Sequence, residues 1–286
     1  PTSQNFAHEY LKSGHGAWSL SDLADLNQPF EGVLINPSYS RLAILESSHL
    51  VNELTERERS DFYIREYSYY LSHYWYGEAF AIDVATKLID RTNDNEKRKV
   101  FESLLADEVK HHHAIEIYLK RRLGWVEPIS AQMYQIVSDV SALNNPMLSA
   151  AVLHLVIEPF GIGSMTTLAK YTSDKVMKDL LVLLGQDEAK HMSLSELIFL
   201  EDQEIDWQLI GHWVSRTIAS MASAAYAIDI FTDISAASSN EIISQIRRSR
   251  IHQFQARCVG ATLIKGLRDT PLEYLLPDLK KLLSSR

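Results

Sequence analysis

Two short segments of this chain carry the same set of metal-binding side chains. Asp107-Glu108-Val109-Lys110-His111 and Asp187-Glu188-Ala189-Lys190-His191 share the pattern Asp-Glu-x-Lys-His, 80 positions apart. Thirty residues before each central Glu stands another Glu in an apolar stretch: Glu78 before Glu108, and Glu158 before Glu188. Residues three apart on a helix share a face. Glu108 and His111 therefore reach one ion together, as do Glu188 and His191. A helix rises about 1.5 Å per residue and a hairpin reverses direction. Thirty residues carry the chain along one helix, round a turn and back to the same level. Four buried carboxylates without counter-charge repel one another and lose their hydration. Two divalent or trivalent cations neutralise them. Mixed imidazole and carboxylate donors suit iron or manganese better than thiolate-seeking metals.

Long helices are needed to hold this set. One rich in aromatics is predicted over Ser60 to Ile89, a second over Glu96 to Leu123, stopped at Gly124. A shorter helix is expected over Ala131 to Leu143, closed by Asn144-Asn145-Pro146. A third long helix runs from Pro146, a favourable first position, to Tyr171, and a fourth from Ser173 to Leu200. Two more follow, Trp207 to Ile234 and Glu241 to Leu267, with a short one after Pro271. Residues 1–50 read as an irregular leader with short helices, its turns signalled by Gln28-Pro29, Gly32 and Asn36-Pro37. No alternating strand pattern stands out. The expected fold class is all-α, a single domain over 1–286. Its metal-binding bundle covers about 60–200, with flanking helices in 1–59 and 201–286.

Composition narrows the function classes. The chain has 286 residues, 46% hydrophobic and 23% charged, with only 11 Gly and 8 Pro to break helices. A net charge of −9 argues against nucleic acid as a partner, which needs a positive field. Cys258 is the sole cysteine, so no internal disulfide forms, and a cytoplasmic setting is expected. Pro1 to Tyr10 has no apolar run of the signal-peptide kind. The most apolar stretch, Leu148 to Leu168, contains His154, Glu158 and Pro159, a mixture that suits a buried helix better than a membrane span.

The pattern of Glu78, Glu108 with His111, Glu158, and Glu188 with His191 resembles the ferritin-like non-haem diiron carboxylate superfamily, in its ribonucleotide-reductase-like oxygenase and oxidase branch. The resemblance spans roughly Ser60 to Leu200. It implies a four-helix bundle holding two iron ions, or a manganese–iron pair, with dioxygen as co-substrate. It implies that Glu108 and Glu188 bridge the metals or lie near both, while Glu78 and Glu158 are terminal and able to shift. Asp107 and Asp187 match the family's supporting acids, each accepting from a ligand His of the other hairpin. The expected activity is oxidation of a C–H or N–H group of a small organic substrate, with an external electron donor. Iron storage fits poorly with so many flanking helices. A radical-generating subunit places its Tyr one turn beyond the first ligand His, where this chain has Ile115. Arylamine N-oxygenases add a His one turn before the last Glu, where this chain has Leu184. An acyl-carrier desaturase, a fatty aldehyde oxygenase and a non-catalytic metal-binding bundle stay open.

Other residues carry weaker signals. Glu46-Ser47-Ser48-His49 repeats the Glu-x-x-His spacing but lacks the preceding Asp and a matching upstream Glu, so it reads as a surface pair. His112 and His113 point away from the ligand face. His154 shares a face with Glu158 and reads as a packed core histidine, with a ligand or hydrogen-bonding role as the alternative. Tyr74 holds the matching position before Glu78. Pro159, Gly161 and Gly163 either open space beside the metals or allow close helix packing. Arg247-Arg248-Ser249-Arg250 reads as a solvated face or a dock for an acidic donor. The aromatic run Tyr67 to Trp75 reads as core or as a homodimer surface.

Overall fold

The computed structural model describes residues 10–11, 18–23, 25–30, 40–51, 53–194, 206–224, 226–232, 234–235, 237–268 and 270–279. It is all-helical, and no β-strand occurs among the described residues. The helices are α1 (Arg41–Ser47), α2 (Glu56–Arg91), α3 (Asn95–Ile117), α4 (Ala131–Ala142), α5 (Pro146–Tyr171), α6 (Lys175–His191), α7 (Trp207–Ala224), α8 (Ile228–Phe231), α9 (Ser239–Arg248) and α10 (Arg250–Leu267). Short 3₁₀ turns stand at Leu20–Asp22 and Glu273–Leu275.

The two long hairpins, α2–α3 and α5–α6, are built on one plan. Thirteen residues separate Glu78 from the end of α2 at Arg91, and thirteen separate the start of α3 at Asn95 from Glu108. The same counts run from Glu158 to Tyr171 and from Lys175 to Glu188. Equal legs return each Glu pair to one level. The turns repeat as well. Thr92 and Thr172 leave the helix in extended conformation, and Asp94 and Asp174 then cap the next helix by accepting from Glu96 and Lys97, and from Val176.

The site layer lies between two apolar clusters. Along α2 one cluster takes Phe62 to Leu71, the other Phe80 to Leu88, and Glu78 falls between them. Along α3 the order reverses: Val100 to Leu104, then Asp107 to His111, then Ala114 to Leu119. On α6, Met177 to Leu184 precede Glu188 and His191. Burial of these aliphatics drives the packing, and the polar layer is enclosed because it sits mid-bundle. Helix α5 is long and apolar enough to cross a membrane, yet 83% of its most apolar window is buried inside the fold, as in a core helix.

The helix ends read at Leu123 and at Pro146 and Tyr171 match the structure, although both helices change type along the way, and two other expected helices are broken. Helix α3 continues into a π-helical turn at Tyr118–Leu123, closed by Gly124 at φ +68°. Helix α5 widens into a π turn at Leu153–Ile157, directly ahead of Pro159. Proline has no N–H to give and its ring disturbs the preceding turn, so the regular ladder is interrupted there. The helix expected over Trp207 to Ile234 ends at Ala224, and Ala227 adopts φ +53° before α8. The helix expected over Glu241 to Leu267 breaks at Ser249, which is extended and caps α10 by accepting from His252. Serine competes for backbone hydrogen bonds and so favours caps. Gly32, Asn36-Pro37 and the predicted end of the fourth helix at Leu200 lie outside the described residues.

Candidate metal centre

All six predicted ligands are buried and converge. Glu78, Glu108, His111 and Glu188 form one group whose donor atoms lie within 4.8 Å of one another; Glu108, Glu158, Glu188 and His191 form a second. Glu108 and Glu188 belong to both. Their oxygens are divided between the two histidines. Glu108 sets Oε2 3.6 Å from His111 Nδ1 and Oε1 3.0 Å from His191 Nδ1. Glu188 sets Oε1 3.2 Å from His111 Nδ1 and Oε2 3.4 Å from His191 Nδ1. Glu78 serves the His111 side only, at 3.7 Å. These residues fit a pair of cations. Both oxygens of Glu108, one oxygen of Glu158 and Nδ1 of both histidines are buried without a hydrogen-bond partner, and buried polar atoms are rarely left so.

Burial raises the Glu78 pKa well above the carboxylate range, and the charges of Glu108 and Glu188 add to it. Burial also dominates at Glu158, raised despite the opposing charge and hydrogen bond of His154. Burial opposes ionisation of Glu108 too, but the charge of His191 and the closeness of both imidazoles outweigh it and hold its pKa well below the usual range. Burial disfavours charged imidazoles. The surrounding carboxylates prevail at His111 and His191, whose pKa values lie well above ordinary histidine. The cluster therefore attracts positive charge.

The outer nitrogens are held unequally. His111 Nε2 donates to Asp187 Oδ2 at 3.1 Å, and the same oxygen accepts from Trp18 Nε1 at 2.8 Å and Lys110 Nζ at 3.1 Å. His191 Nε2 stands 3.7 Å from Asp107 Oδ2, too far for a good hydrogen bond. Both pairings cross between hairpins. Trp18 lies parallel to the His111 ring, 6.1 Å between centroids, with Lys110 over its indole. Buried Tyr10 stands near enough to His191, Asp107, Glu158 and Glu108 for their charges to act on its hydroxyl. Neither Trp18 nor Tyr10 was anticipated from sequence. An aromatic in an irregular leader has no periodicity to mark it.

His154 is buried in the π turn, and its Nδ1 donates to Glu158 Oε1 at 2.8 Å. It belongs to neither group of converging donors, which supports the hydrogen-bonding alternative over ligation. His112 stacks on Trp75, and His113 is exposed beside Glu116. Glu46 pairs with Arg59 and belongs to neither cluster, while His49 is exposed at φ +54°. Arg247, Arg248 and Arg250 are exposed, with buried Ser249 between them. Tyr67, Tyr69 and Tyr70 are core residues.

A cavity opens beside the carboxylates, lined also from α2, α4, α5, α7 and α10. Tyr74 and Gly161 line it. Gly163 does not: a Cβ there would stand 2.5 Å from the Val259 backbone. The two readings of the glycines divide between neighbours, one giving space and the other close packing. Comparisons with protein-family models, curated proteins and solved structures find no match for this chain.

Proposed function

We propose that this chain is a dioxygen-activating oxidase or oxygenase built on a ferritin-like bundle, with a carboxylate-bridged iron pair as cofactor. One observation carries the reading: Glu108 and Glu188 each turn one oxygen to His111 and the other to His191, the arrangement required of two bridging carboxylates. Glu78 and His111 would complete one metal position, Glu158 and His191 the other. When bound, such a pair supplies the redox chemistry that protein side chains lack. The protein's own groups do the rest. Asp187 fixes the His111 ring through Nε2, so Nδ1 faces inward. The apolar layers on either side keep bulk water from the site. The cavity brings a C–H or N–H group of an organic substrate against the carboxylates. Incorporating one oxygen atom and reducing the other to water requires two electrons, so an external donor is part of the proposal. A cytoplasmic location fits the free Cys258.

The unequal supports of the two histidines favour a second reading, a mixed manganese–iron pair. Metal analysis after reconstitution separates the two. The activity test is a single turnover of the reduced, iron-loaded protein with dioxygen. Stoichiometric oxygen consumption and oxidation of the metals are expected. Full metal loading without oxygen consumption would leave a binding protein and end the oxidase reading.

A further inference from the structure

From the cavity wall we infer that the substrate is an uncharged, hydrocarbon-like molecule, recognised by shape and apolar contact, whose oxidisable end alone meets polar groups. The inference rests on the oxidase reading and adds the substrate class. The cavity follows α2 from Glu78 back to Tyr69, nine residues or about 13 Å, the length of a medium alkyl chain. Its wall is mostly apolar, with Phe160, Met165 and Met221 among the lining side chains. Methionine adapts to irregular apolar shapes.

The Tyr74 hydroxyl on the wall is buried without a hydrogen-bond partner and is uncharged; His73, Tyr69 and Gln255 are committed to the protein. His73 sets Nδ1 against the Tyr69 carbonyl at 2.7 Å, and Nε2 accepts from Ser130 N–H at 3.1 Å. Those two bonds require the neutral ring with its proton on Nδ1. Tyr69 donates its hydroxyl to the Ala224 carbonyl at 3.1 Å. Gln255 accepts from Arg41 at 2.8 Å and donates to Ser164 at 2.9 Å. Arg41, which donates to Gln255 and lies over the Tyr70 ring, is paired with Glu66. Among the described residues lining the end away from the carboxylates, a charged group finds no free counter-charge and loses its hydration. At the other end stand the carboxylates Glu78, Glu108, Glu158 and Glu188. Gly161 keeps that end open: a Cβ there meets only the tip of Met165, at 3.9 Å.

The test is calorimetric titration of the metal-loaded protein with 1-octanol, octylammonium and octane-1-sulfonate. 1-Octanol is expected to bind at least about tenfold tighter than either ion, since burying an unpaired charge is costly. Gly161→Leu should weaken 1-octanol by about tenfold or more while metal content stays unchanged, because the added side chain occupies the cavity. Met221→Ala, which enlarges the space, should shift preference toward 1-decanol. An ion binding as tightly as 1-octanol, no binding of 1-octanol, or unchanged affinity in a metal-loaded Gly161→Leu protein overturns the inference. So does an unchanged chain-length preference in Met221→Ala. Alcohol binding without oxygen consumption would remove the oxidase reading and leave the cavity assignment. Oxygen consumption without alcohol binding would do the reverse.

Discussion

The two hairpins share ligand spacing, leg length and turn design, but their surroundings differ. In the first, α2 is an unbroken α-helix through Glu78, and His111 is fixed by an Asp187 that also holds Trp18 and Lys110. In the second, a π turn and Pro159 interrupt the helix at Glu158. There His191 has only a distant Asp107, while Glu158 has gained a partner in His154. Repeating the ligand pattern is enough to make the cluster. The surroundings of each half make its two positions inequivalent, with the histidine anchored in one and the terminal carboxylate in the other.

The largest effects should follow from shared and private ligands. Glu108 faces both histidines, so Glu108→Ala is expected to lower metal content from about two ions per chain to near zero. Glu78 belongs to one group only, and Glu78→Ala should keep about one ion. Elemental analysis after reconstitution and desalting reads the difference. Equal loss in both variants would refute the division of labour.

Next come the supporting acids. Asp187→Asn removes the charge that orients His111 and leaves Lys110 and Trp18 with a poorer acceptor. A loss of metal affinity of about 10–100-fold is expected. Asp107→Asn should cost less than about tenfold, because the 3.7 Å separation from His191 already forgoes a good bond. Chelator competition measures both. The comparison is broken if Asp107→Asn is the more damaging.

The halves also differ in what covers them. Asp83, at the position matching Gly163, keeps its side chain 43% exposed beside Lys87, whereas α10 closes over Gly163. Gly163→Ala drives a Cβ into the Val259 backbone and should destabilise the fold by about 1–3 kcal/mol or more. Gly161→Ala meets no such contact and should change stability by less than about 1 kcal/mol, helped by better helix propensity. Urea unfolding of the two variants decides it. Similar stabilities would mean that α10 does not hold this half.

The six converging side chains were legible in sequence because a repeated motif at a fixed offset constrains geometry strongly. Thr92-Asn93-Asp94 and Thr172-Ser173-Asp174 extend the same repeat into the turns. Other features depend on tertiary contact. The π turn at Leu153–Ile157 leaves the apolar pattern of α5 intact, so periodicity does not register it. Trp18 and Tyr10 reach the site from a leader without a pattern. Gly161 and Gly163 look equivalent in sequence, and only the path of α10 separates them.

The finest distinction lies in the residues one turn before the terminal carboxylates, Tyr74 and His154. Tyr74 lies beside Ser164 on the cavity wall, whereas His154 Nδ1 donates directly to Glu158. His154→Leu strands a buried carboxylate oxygen and lets Glu158 turn away from the His191 position. An affinity loss of about tenfold is expected at that position alone. His154→Gln, which keeps an N–H donor, should recover part of it. Tyr74→Phe should alter neither position. Each position is read separately by placing the changes in Glu78→Ala, which leaves the second ion, and in Glu158→Ala, which leaves the first. A general packing defect would weaken both backgrounds alike. A positioning role for His154 weakens only the first of these, because its hydrogen bond acts on Glu158 and on nothing the His111 position uses.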